Sequence, residues 1–318
     1  MATRHDEAVR LLDVPAADYF TFNPEQQSRL QDALARLASG SDLSGQAGDS
    51  PLLLALGAPK SVDLDRQPKV PVLVGSVQTG LRAWHVNPIT NLHLLMRNLS
   101  TGELSAAQAL LKPRRGKEEL RSGKGTPPDE IDAQTVRSSV AQTDLREIMP
   151  GSVKPGVFSI TAVANELRSN TVSMRMEGRA APQESAPASP QPYLRHTLEP
   201  RAAFTTRVEV PKVATATDPL LVRVAIQIDD SAGVLQAASE RPLWPCHLIF
   251  VKLDERPRIV AALVPVRRIV AASGKTVFNA VFQIDIRAAA PALAGSYQVY
   301  LDAGREVIGP YPLAINGS

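Results

Sequence analysis

A single cysteine, Cys246, stands in a chain of 318 residues. That excludes an intrachain disulfide framework and suits a reducing compartment. Aromatic residues are scarce, at 4%. Carbohydrate modules and single-strand nucleic-acid binders stack their ligands on exposed rings, so this scarcity argues against both. Charge of one sign is lacking too: 35 Lys and Arg face 32 Asp and Glu, a net +3. No nucleic-acid partner is expected on that balance. No apolar run has the length of a signal-peptide core or a bilayer span. The expectation is a cytoplasmic protein with no membrane contact, export by a route without a Sec-type signal being left open.

Catalytic signatures are equally thin. The five histidines, His5, His85, His93, His196 and His247, form no HExxH pair and have no cysteine at zinc-site spacing. Cys246 and His247 are neighbours on an expected strand, where adjacent side chains point to opposite faces. A lone cysteine entering a strand reads as a small buried hydrophobe. No GxSxG elbow or dinucleotide fingerprint occurs, and Gly123-Lys124-Gly125 has neither the spacing nor the helix of a phosphate loop. Carboxylates fall singly on strands or in turns. No catalytic, cofactor-binding or metal-binding residue is therefore nominated.

What the chain does hold is a duplication. Gly156–Gly178 (GVFSITAVANELRSNTVSMRMEG) aligns without a gap on Gly295–Gly317 (GSYQVYLDAGREVIGPYPLAING). Phe158 falls on Tyr297, Ile160 on Val299 and Met174 on Leu313. Each copy is two alternating runs about a short polar turn, the pattern of a β-hairpin. A weaker upstream match sets His93–Pro113 on Leu248–Arg268, with His93 against Leu248 and Arg97 against Lys252. The upstream blocks lie 155 residues apart, whereas Asp144-Leu145-Arg146 and Asp285-Ile286-Arg287 lie 141 apart. The first copy thus carries about 14 extra residues between Arg114 and Thr143, a segment without hydrophobic periodicity that reads as an expanded loop.

Organisation follows from these blocks. Residues 1–50 form a helical arm and linker: Asn23 is an N-cap, Pro24 sits at N1, and Leu30, Leu34 and Leu37 mark one face. The arm either packs on a β layer or binds a partner. Residues 51–178 make a first β domain, with strands expected at Val70–Val77, Leu92–Leu99 and Glu103–Leu111. Residues 179–200, with Pro182, Pro187, Pro190 and Pro192, are a semi-rigid linker. Residues 201–318 make the second domain. Its strands are expected at Phe204–Val210, Leu220–Ile228, Leu248–Leu253, Arg258–Val266 and Val277–Ile286, ahead of the final hairpin. Trp84 and Trp244 each precede the third-strand block of their domain and read as core residues.

Seven short strands ending in a hairpin resemble an immunoglobulin-like sandwich. Leu293–Val299 is similar to the corner that leads into the sixth strand of immunoglobulin and fibronectin type III domains. The resemblance implies that the Tyr297 hydroxyl bonds back to upstream backbone, a bond that Phe158 cannot make. Val299 stands where antibody domains place cysteine, so no inter-sheet disulfide is implied. The fold expectation is all-β: two immunoglobulin-like sandwiches in tandem with a short N-terminal helical arm.

Such a fold hosts unrelated functions, and the functional expectation is broad. It is a non-enzymatic interaction or assembly protein, working through a protein partner or self-association. One candidate surface is the edge Asn170–Met176, with Asn170, Thr171, Ser173 and Arg175. There the donors survive that Pro310 and Pro312 remove from the twin strand. The other is the basic loop holding Arg114, Arg115, Lys117, Arg121 and Lys124, which would take an acidic partner or a polyanion. A metal or enzymatic site assembled only in three dimensions is the rival reading.

Overall fold

The computed structural model describes residues 4–39, 53–79, 92–109, 136–164, 167–179, 194–196, 203–215, 221–229, 235–237, 243–252, 257–265, 267–270, 276–285, 294–302 and 307–316. Helices α1 (Arg4–Leu12), α2 (Ala16–Phe20) and α3 (Pro24–Ser39) come first. Then come β1 (Leu53–Gly57), β2 (Ser61–Asp63), β3 (Pro71–Thr79), β4 (Leu92–Asn98), β5 (Leu104–Ala109) and β6 (Val136–Asp144). The short helix α4 (Leu145–Ile148), β7 (Gly156–Ala164) and β8 (Leu167–Glu177) complete the first half. The second half has β9 (Leu194–His196), β10 (Ala203–Glu209), β11 (Val213–Thr215), β12 (Leu221–Asp229), β13 (Leu235–Ala237) and β14 (Leu243–Val251). It ends with β15 (Arg258–Pro265), β16 (Arg267–Val270), β17 (Thr276–Asp285), β18 (Gly295–Asp302) and β19 (Val307–Asn316).

The chain is mostly β, and one strand arrangement occurs twice. The order β2-β8-β7-β4-β5 in one five-stranded sheet is matched place for place by β11-β19-β18-β14-β15 in another. In both, the short outer strand is parallel to its neighbour: β2 to β8 and β11 to β19. The companion sheets, β1-β3-β6 and β10-β12-β17-β16, also agree, apart from the extra β16. This is the strand order of an immunoglobulin-like arrangement. The two hairpins that first showed the repeat, β7–β8 and β18–β19, hold the same two places in their sheets. At the expected corner, the Tyr297 hydroxyl donates to the Ala294 carbonyl across a long 3.4 Å.

By compactness the chain divides into two units that do not follow one another in sequence. The first is Met1–Leu95, Ala106–Pro155 and Ile160–Arg179; the second is Met96–Ser105, Gly156–Ser159 and Ala180–Ser318. Strands β4 and β7 each contribute residues to both.

In the first unit the helical arm covers one face of β1-β3-β6. Asn23 accepts from the backbone N–H groups of Glu25 (3.0 Å) and Gln26 (2.9 Å), and Gln26 Oε1 accepts from Asn23 N–H (2.9 Å). This reciprocal box fixes the start of α3. Ala8 and Leu12 of α1 and Leu34 of α3 then pack with Ala55, Val77 and Val140 in one buried cluster. Ala55 pairs with Gly75 and Gly75 with Val140, so the covered face is continuous across three strands. In the second unit the same face is polar and unshielded: Arg207, Glu209, Arg223 and Gln227 are exposed, while Val208, Val222 and Val224 between them are buried.

Strand β6 corrects an expectation. Val136–Thr143 read as the end of an expanded loop, yet it forms the outer strand of β1-β3-β6. Its lack of an apolar period has a physical reason. Gln27 Nε2 donates to the Val140 carbonyl (2.6 Å), Gln31 Nε2 to the Ser138 carbonyl (3.4 Å), and the Ser138 hydroxyl to the Gln31 carbonyl (2.9 Å). Helix α3 thus serves β6 with polar groups, along a strand whose twin β17 pairs with β16.

Candidate functional site

A buried group of ionisable side chains lies in the second unit. His247 on β14 and Asp302 on β18 are direct cross-strand partners. His247 Nδ1 is 3.0 Å from Asp302 Oδ2, and Arg97 Nη1 donates to the same oxygen at 2.7 Å. Side-chain exposure is 3% for Arg97 and Asp302 and 7% for His247. Burial alone would raise the Asp302 carboxyl, but the Arg97 charge and then the His247 hydrogen bond outweigh it and hold it below the ordinary aspartate range. The carboxylate is therefore ionised, doubly engaged and closed to solvent.

Cys246, next along β14, is fully buried. Burial pushes its thiol up to about 12; Arg97 opposes the shift and Asp302 adds to it. A nucleophilic cysteine needs its thiolate, which this environment suppresses. Cys246 pairs in register with Ala262 and His247 with Ala261, so their side chains leave opposite faces of β14, as adjacent strand residues must.

The register of β4 corrects the upstream repeat by one residue. Leu99 N–H donates to the Val157 carbonyl (2.8 Å), which sets Asn98 opposite Phe158. Val251 lies opposite Gln298 in the second copy, which sets Lys252 opposite Tyr297. Because Phe158 is the twin of Tyr297, Asn98 is the twin of Lys252, and His93 is the twin of His247 rather than of Leu248. A one-residue slip of this kind moves every side chain to the other face. The corrected pairing places Val163 where the second copy has Asp302. His93 is fully buried, and neither ring nitrogen has a hydrogen-bond partner. Burial lowers its pKa to about 4.

Sequence reasoning missed Arg97 and Asp302. A signal was present: Arg97 and Asp302 are the lone fully charged residues of the largely buried strands LHLLMRN and GSYQVYLD. Buried charges on such strands need partners, and here each is the other's.

Along the expected edge Asn170–Met176, both ends already have partners within the chain. Strand β2 pairs with Arg175, Met176 and Glu177, and Arg175 N–H donates to the Lys60 carbonyl. The Asn170 amide clamps β1, accepting from Leu56 N–H (2.8 Å) and donating to the Leu56 carbonyl (2.9 Å). The Thr171 hydroxyl meets that of Thr161 at 2.8 Å, and Ser173 and Arg175 are exposed. Thr171–Met174 remains between these contacts, short of the five or six residues of an ordinary strand. The basic residues Arg114, Arg115, Lys117, Arg121 and Lys124 lie outside the described residues, as does Trp84.

Among the described residues, no three His, Cys, Asp or Glu side chains come together as a metal site. No helix among them is long and apolar enough to cross a membrane. No family model matches the chain, and no curated protein matches it. Among solved structures, it is similar to the ICAM-5 D1–D4 ectodomain fragment at 12% identity, over 83% of this chain and 53% of that one, with a TM-score of 0.17. The chain thus spans about half the length of that fragment.

Proposed function

We propose that the chain is a non-enzymatic interaction or assembly protein of the cytoplasm, built as two immunoglobulin-like sandwiches in tandem behind a helical arm. The twofold occurrence of one strand order supports the tandem reading. The observation that carries the functional reading is the sealed Arg97–Asp302–His247 cluster. Among the described residues, this buried polar chemistry is spent on holding strands together, which leaves recognition to surfaces and edges. Val213, 61% exposed, lies on β11, the outermost strand of its sheet. Leu221, 41% exposed, begins β12. Unpaired outer strands accept added strands unless charge or proline blocks them.

Two measurements test this. Elemental analysis of the purified protein is expected to find no stoichiometric transition metal; finding one would overturn the reading. Sedimentation and in-cell cross-linking are expected to return a protein complex or self-association of fixed stoichiometry. Val213→Asp should weaken that association tenfold or more while leaving the unfolding midpoint unchanged. A chain that stays monomeric and uncrosslinked has no such role.

A further inference from the structure

The two buried histidines of the repeat have opposite surroundings. His247 faces Asp302 across β14 and β18, and Arg97 closes the charge. His93, its twin, has Val163 in the acid's place and no partner for either ring nitrogen. The flanking strands supply no charge either. Neither β7 (GVFSITAVA) nor β5 (LSAAQA) holds an ionisable side chain. On β4 itself the one other ionisable group is Arg97, four residues away and bound to Asp302.

From this asymmetry we propose that His93 is an acid-sensitive trigger, which lets β4 open in mild acid while its twin β14 stays closed. The logic is linkage. An opened β4 exposes the imidazole to water, where it takes a proton near pH 6.5. The closed strand refuses that proton until about pH 4, because burial disfavours the cation and nothing nearby compensates it. The group's folded pKa lies below its unfolded value, and its charged form is the cation. Closure is therefore unaffected above about pH 6.5 and weakens as pH falls from there toward 4. Below that both forms are protonated and the dependence flattens. His247 differs in geometry: its ring is engaged by the Asp302 carboxylate at 3.0 Å, so β14 holds no partnerless buried imidazole.

Native-state hydrogen exchange between pH 7 and pH 5 reads the effect strand by strand. Protection of the Leu92–Asn98 amides, corrected for intrinsic rates, is expected to fall about tenfold per pH unit below about 6.5. Protection of Leu243–Val251 should hold. His93→Leu should abolish the slope in β4. Equal loss in both strands, a flat profile in β4, or a slope that survives His93→Leu would each overturn the proposal. Should that variant fail to fold, proton titration of the His93 ring in the unaltered chain decides. A ring neutral down to about pH 4 supports the trigger, and one that titrates near 6.5 removes it.

Discussion

Asp302→Ala is expected to destabilise the second unit by about 3–5 kcal/mol, the scale found when one partner of a buried ion pair is removed. The variant leaves the Arg97 guanidinium in the interior, facing a void where its carboxylate had been, and deprives His247 of its acceptor. Asp302→Asn should cost nearly as much, because a neutral amide cannot balance the Arg97 charge. The informative comparison is a double variant, Arg97→Met with Asp302→Val, which substitutes the twin's Val163 for the acid. Replacing both members of a buried pair by apolar groups is often neutral. The double variant is therefore expected to recover most of the loss, and a denaturant-midpoint cycle would show strong non-additivity. Simple additivity would mean that the two side chains do not act together.

The same pair sets an acid limit. Asp302 is held below the ordinary aspartate range, since Arg97 and His247 overcome burial. A carboxyl with a depressed folded pKa contributes stability that is complete above the unfolded value, about 3.9. It is lost as pH falls through the lowered value. This loss lies below the window in which His93 acts, so an acid titration should separate the two.

Gly57→Ala is expected to dislodge helix α1. A β carbon at Gly57 would lie 2.2 Å from the Leu12 carbonyl oxygen and 2.9 Å from the Leu12 Cβ. Those atoms belong to the helix itself and cannot swing aside, so either α1 retreats or β1 bends. Overpacking of this kind costs about 1–3 kcal/mol. Gly75→Ala is a graded control: its added carbon would meet Leu34 Cδ1 at 2.9 Å and Leu12 Cδ1 at 3.0 Å, both ends of side chains that can turn. Limited proteolysis should release the arm readily from the Gly57 variant and more slowly from the Gly75 variant. Equal resistance of the Gly57 variant and the unaltered chain would show that α1 is not seated on β1.

Much of the β architecture was legible because it rests on period-2 alternation. Val222 and Val224 of β12 and Tyr297 and Val299 of β18 mark buried faces directly. The start of α3 was legible from Asn23 and Pro24, whose capping chemistry is local. Register was not. Setting His93 on Leu248 matched hydrophobic character but slipped the ladder by one, and the hydrogen bond from Leu99 to Val157 shows the true pairing. Strand β6 was hidden for a different reason: its Ser and Gln residues face a helix more than a hundred positions earlier in the chain. Arg97 and Asp302, too, find each other across 205 positions, a distance at which sequence carries no pairing information.

The arm's docking also imposes an order on synthesis. Helices α1–α3 leave the ribosome before the sheet they cover, with Ala8, Leu12 and Leu34 bare, while the strand that supplies Val140 and the carbonyls for Gln27 and Gln31 is about a hundred residues behind. At roughly 5–20 residues per second, that face waits on the order of 5–20 seconds before its sheet exists. During that interval the nascent arm is an amphipathic helix with nothing to cover it, the kind of transiently bare apolar surface on which chaperones act.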